Sequence, residues 1–96
     1  MAKESATPLQ ELRRKKGNKT LAEVGKAIEY AVGALSQAER GEVLVSDRAL
    51  ERLASFYGES FVSVRRKYRV GRARYLAAQL RELVPGVKVR WPKKVE

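Results

Sequence analysis

The sequence predicts an all-α fold: a bundle of five short helices, with one further helix and a short strand appended at the C-terminal end. Three observations carry this. Apolar residues recur three and four apart in a series of short runs, as in Leu21, Val24 and Ile28. The runs are bounded by residues that start or stop helices, such as Thr20, Ser46, Ser60, Gly17 and Gly58. Apolar and basic residues alternate with period two in "VKVRW", residues 87–91, which marks the strand.

Residues 1–8 form a polar arm whose last member, Pro8, suits the first turn of a helix. "PLQELRRKKG" is the first helix, with Leu9 and Leu12 inward and Gly17 as its stop. The second opens at Thr20, which with Glu23 has capping-box spacing, so each side chain satisfies a free N–H of the first turn. "EYA" is a short turn, and "VGALSQAER" a third helix with Leu35 and Ala38 inward. A loop, "GEVLV", leads to a fourth helix capped by Ser46, with Asp47 in the turn where the helix dipole favours negative charge. Ala49, Leu50, Leu53, Ala54 and Tyr57 form its inward face. Ser60 caps a fifth helix that runs to about residue 68. "RVG" is a joint, and a sixth helix follows with Ala73, Leu76, Ala77, Leu80, Leu83 and Val84 on one face. This gives an arm over 1–8, a domain over 9–68, and a C-terminal helix, strand and basic tail over 69–96.

With 96 residues the chain supports one domain. It contains neither Cys nor His, so disulfides, thiol chemistry, Cys-based zinc sites and the commonest general base are excluded. No pattern pairs its carboxylates, or a Ser with a Lys, as an enzyme would need, and no cofactor or metal site is expected. "MAKESATPLQ" lacks the apolar core of a signal peptide, and no run spans a bilayer, so the expectation is a cytoplasmic protein, nucleoid-associated when bound to DNA. The net charge of +10 points to a polyanion partner. That charge is unevenly placed: net +4 over residues 1–20, −3 over 21–64 and +9 over 65–96.

Two short helices joined by a three-residue turn inside such a bundle form the pattern of a helix-turn-helix. Positions 9–64 resemble the lambda-repressor-like, Cro/C1-type helix-turn-helix domain of the Xre family, through "LQELRRKKG", "TLAEVGKAI", "LSQAERG" and "SDRALERLASFYG" in order and at the family's spacing. The resemblance implies a prokaryotic or phage regulator that binds double-stranded DNA, with the third helix, about residues 31–39, in the major groove. It implies a structural ion pair between Arg13 and Glu39. The chain departs from the family at the turn, where Glu29 stands for a usual Gly, and at the third helix, where Ala31 stands for a Ser or Thr cap. Gly25 also stands for a usual Ala.

The outward side of the third helix offers Val32, Gly33, Ala34, Ser36 and Gln37. The expected base contacts are Val32 and Ala34 to thymine methyls, Ser36 to several bases, and Gln37 to adenine. Gly33 reads nothing. Phosphate contacts are expected from Lys19, Thr20, the backbone of Leu21, Arg40, and the run "RRKYRVGRARY", which interleaves Arg65, Arg66, Lys67, Arg69, Arg72 and Arg74 with Tyr68 and Tyr75 as a clamp. A reader with so few polar side chains leaves two other functions open. One is a protein-interaction module, using the apolar face of Val32, Ala34, Val43 and Leu44. The other is a non-specific architectural DNA binder. Val87, Val89 and Trp91 of the strand would either join two copies into a homodimer or cover the core of one copy.

Overall fold

The computed structural model describes residues 6–86, and within them five helices: α1 (Pro8–Lys15), α2 (Leu21–Ile28), α3 (Val32–Glu39), α4 (Asp47–Tyr57) and α5 (Phe61–Leu83). Their starts are fixed by side chains. Thr20, Ser46 and Ser60 each accept a hydrogen bond from an amide of the first turn they cap. Thr7 does the same for α1 and completes a capping box with Gln10, so the end of the expected arm belongs to the fold. Thr7 also donates its hydroxyl to the carbonyl of Glu39 at 2.6 Å, which ties the start of α1 to the end of α3. The core joins Leu9 and Leu12 of α1, Val24 and Ile28 of α2, Leu35 of α3, Leu50, Leu53, Ala54 and Tyr57 of α4, and Val64 and Tyr68 of α5.

The C-terminal half differs from the sequence expectation. The joint at "RVG" and the separate sixth helix are absent, and α5 is one helix of 23 residues. The expected domain boundary between residues 68 and 69 therefore falls inside it. The physical reason is that Gly71 serves packing and does not break the helix. It is buried in ordinary contact with the carbonyl of Glu39 and the side chain of Thr7, and its own carbonyl lies so near Gly41 that a Cβ on Gly41 would overlap it. Tyr68, Val70 and Gly71 are buried where the two expected helices were to part, and that burial carries α5 through. Of the inward face expected for the sixth helix, only Ala77 is buried, and Leu76, Leu80, Leu83 and Val84 are exposed. The "VKVRW" strand lies outside the described residues.

Candidate nucleic-acid interface

The α2–turn–α3 unit is compact because the turn folds onto α2. A Cβ on Gly25 would sit 2.6 Å from the carbonyl of Tyr30, so this chain uses Gly where the closest approach occurs. Glu29, the C-cap of α2, takes the left-handed conformation at φ 59° that a Gly would adopt without strain. Ala31 begins α3 with no side-chain cap, as its side chain dictates.

Three residues anchor α3: Leu35, Ala38 and Glu39 are buried. Glu39 is only 3% exposed, and Arg13 donates from Nε to its Oε2 at 2.8 Å. The same guanidinium donates from Nη1 to the carbonyl of Lys19, so one side chain joins α1, the end of α3 and the segment that leads into α2. Burial pushes the Glu39 carboxyl above the ordinary carboxylate range, and Arg13 opposes that shift. Arg13 is held above its own usual value by its bond to Glu39. Tyr57, close to both, is pushed up to about 12, mainly by burial.

With that side anchored, the opposite side of α3 faces out. Val32, Gly33 and Gln37 are exposed, and Ala34 and Ser36 are half-buried. Ser36 accepts a hydrogen bond from Arg40, which also donates from Nε to Oε2 of Glu42 at 2.6 Å. Arg40 is therefore already paired, and it holds Glu42 below the usual carboxylate range. At the start of α2, Thr20 accepts from the amide of Glu23 while Leu21 packs its side chain against the core. What Leu21 can offer a phosphate is its backbone N–H. Lys19 lies half-buried beside it.

The six cations of residues 65–75 are not gathered on one side. At 3.6 residues per turn they spread around α5, with Arg65, Arg66, Arg69 and Arg72 on one broad side and Lys67 and Arg74 on another. Arg72 donates to the carbonyl of Gly41 at 2.8 Å, and Arg74 to that of Ala6 at 3.4 Å. Lys67 donates to Ser63, and Arg65 lies over the Phe61 ring. Arg66 and Arg69 are exposed. Tyr68, expected among the clamp residues, is a core residue instead. Its hydroxyl donates to the carbonyl of Val43 at 2.6 Å and accepts from the amide of Val45 at 3.0 Å. This fixes the loop after α3, and Leu44 between those two residues projects into solvent, 81% exposed. Sequence reasoning missed Thr7 and Tyr68 as positioning residues. Thr7 stood at a helix-cap distance from Gln10 that could have found it. For Tyr68 the signal was its place four residues after Val64.

Among the described residues, no group of His, Cys, Asp and Glu could hold a metal ion, and no helix is long and apolar enough to cross a membrane. A family model described as a helix-turn-helix domain matches residues 6–66. Neither a curated protein nor a solved structure matches the chain.

Proposed function

Because the chain belongs to the helix-turn-helix domain family, a DNA-binding fold, we propose that it is a transcriptional regulator whose α3 enters the major groove of its operator. The observation that carries this reading is Gln37, a bidentate-capable amide exposed on the outer side of α3 while Leu35, Ala38 and Glu39 lock the other side. In the groove, Gln37 pairs with adenine N6 and N7. The Ser36 hydroxyl still has a proton to donate to a base acceptor, and Val32 and Ala34 meet thymine methyls. The first amides of α2, flanked by Lys19 and Thr20, hold a phosphate at the helix N-terminus. Arg66 and Arg69 supply phosphate contacts at low cost, since both are exposed. Arg65, Lys67 and Arg40 contribute after exchanging their present partners, and Arg72 and Arg74 act mainly through the charge they hold near the backbone. Two copies bind a symmetric operator as a homodimer joined through the C-terminal segment.

One observation favours a second reading. Leu44 is held out into solvent by a loop that Tyr68 pins on both sides, and Val32 at the start of α3 is also exposed. An apolar projection of this kind, with Val43 at its base, suits a protein partner. Selection of bound sequences from a random DNA pool at physiological salt separates the readings. The regulator reading expects an enriched palindrome with a fixed adenine in each half-site. Binding without enrichment marks an architectural protein, and absence of binding transfers the function to the apolar surface.

A further inference from the structure

The last third of α5 has no place to bury its apolar residues within the described chain. Every residue from Ala78 to Gly86 is exposed, including Leu80 and Leu83 at 40% and 79%, and Leu76 one turn earlier is 48% exposed. With the half-buried Ala73 they form one stripe along the helix, at spacings of three, four and three. The chain's path at the foot of the stripe points to what covers it. Val84 leaves the helix with φ −130° and ψ 83°, Pro85 and Gly86 form a turn, and Gly86 has a φ of 90°. Pro followed by Gly with a φ of about +80° is the pairing of a type II turn, which reverses the chain. The next residues, "VKVRW", alternate apolar and basic over 87–91 and lie outside the described residues.

We propose that residues 87–91 of the same chain run back along α5 as an extended segment, with Val87, Val89 and Trp91 lying on the stripe. The lengths agree. From Val87 to Trp91 an extended segment covers about 13 Å, which equals about nine residues of helix. Val87 then meets Leu83, Val89 meets Leu80, and Trp91 reaches the space between Leu76 and Ala73. The small Ala73 leaves room for the indole. Arg69, one turn further on the same line, offers it the plane of a guanidinium whose N–H edge still points outward. A local occupant has the advantage over a separate one: a two-residue turn costs little closure entropy, while a second molecule loses translation and rotation. The alternation turns Lys88 and Arg90 away from the stripe, on the side of α5 that already carries Arg66 and Arg69. In the regulator reading they join those two as phosphate contacts, and only this step rests on that reading. The backbone edges of the segment stay open, so the cover leaves the homodimer of that reading its joining surface.

The test uses the full chain without DNA, so its result stands apart from the outcome of the DNA selection. Trp91 is the one tryptophan of the chain and reports its own surroundings. Its emission should lie to the blue of that of a peptide of residues 87–96, and acrylamide should quench it less. The emission should stay constant from about 1 μM to about 100 μM, where weak association would change it. Leu80→Glu should move it back toward that of the peptide. The chain has no Cys, so an introduced pair reports the register independently of that variant. Leu80→Cys with Val89→Cys should bridge within one molecule at least about tenfold faster than Glu82→Cys with Val89→Cys, because a disulfide needs Cα atoms within about 7 Å and residue 82 lies across the helix. Emission at the position of the peptide overturns the proposal, and so do equal rates for the two pairs. Emission that shifts only as concentration rises, or bridges that form only between molecules, also overturns it, since another copy then covers the stripe.

Discussion

Gly41 and Gly71 meet backbone to backbone, so that a Cβ on Gly41 would overlap the carbonyl of Gly71. The contact lies where the chain leaves α3 and passes under the middle of α5. Gly41 also has a left-handed φ of 76°. Gly41→Ala therefore carries two penalties: about 1 kcal/mol or more for the conformation, and roughly 1–3 kcal/mol for overlap that backbone atoms cannot relieve by rotating. Gly58 is the internal control. It has a φ of 70°, but a Cβ there meets nothing within 4 Å. Thermal melts of Gly41→Ala and Gly58→Ala should show the first as clearly the worse. Equal losses would remove the close contact.

Arg13→Ala leaves the Glu39 carboxylate buried without its charged partner and should cost roughly 3–5 kcal/mol at pH 7. The pH dependence identifies the cause. Burial already raises the pKa of Glu39 above its ordinary 4.5, and losing Arg13 raises it further. A carboxyl whose folded pKa is raised contributes stability below its unfolded pKa, and that stability is lost as pH rises through the folded value. The deficit of the variant relative to wild type should be full at neutral pH and shrink as pH falls toward about 4. Paired denaturant titrations at the two pH values measure it. A deficit that does not change with pH would show that Arg13 acts through packing alone.

α3 is built from weak helix parts, and both can be repaired. Ala31→Ser supplies the missing cap and should stabilise by about 1 kcal/mol. Gly33→Ala should add about as much, since Gly33 is helical and its Cβ would meet nothing within 4 Å. The two gains should be nearly additive in melting experiments. A loss in either variant would show that the start of α3 is not exposed as described.

Tyr68→Phe removes the hydroxyl that both donates to Val43 and accepts from Val45. The expected cost is about 1–3 kcal/mol, because two loop groups lose their partner together. Hydrogen exchange should accelerate at the Val45 amide before it does in α4. Unchanged protection there would argue that other contacts hold the loop.

Base reading and phosphate attraction separate by salt. Gln37→Ala should cost about 1–3 kcal/mol on the selected operator only and leave the salt slope unchanged. Arg66→Ala with Arg69→Ala should weaken operator and random DNA alike and flatten the slope of log affinity against log salt by up to about two units. If Gln37→Ala is silent on every DNA, α3 is not a base reader, and Val32, Ala34, Val43 and Leu44 become the surface to test.

Local signals in the sequence determined the helix starts and the turn of the helix-turn-helix. Thr20, Ser46 and Ser60 cap through their own side chains to amides three residues away, so no distant part of the fold is needed to read them. The inward faces of α1, α2 and α4 were legible for the same reason, as each repeats at the period of one helix. Gly71 shows where that reading stops. From sequence alone a glycine beside Val70 is as good a break as a packing site. Only its burial against Thr7, the end of α3 and the backbone of Gly41, all distant in sequence, made it the latter. Tyr68 changed role for a related reason: its neighbours in sequence are cations, but its neighbours in space are core residues and the backbone of Val43 and Val45. The cations of residues 65–74 add up in the sequence, but tertiary contacts took two of them to carbonyls of the loop and arm, contacts one turn back along α5 took two more to a Ser hydroxyl and an aromatic ring, and the rest face solvent. Charge is a property each residue brings with it. Whether that charge stays free to meet a phosphate depends on what the fold places within reach.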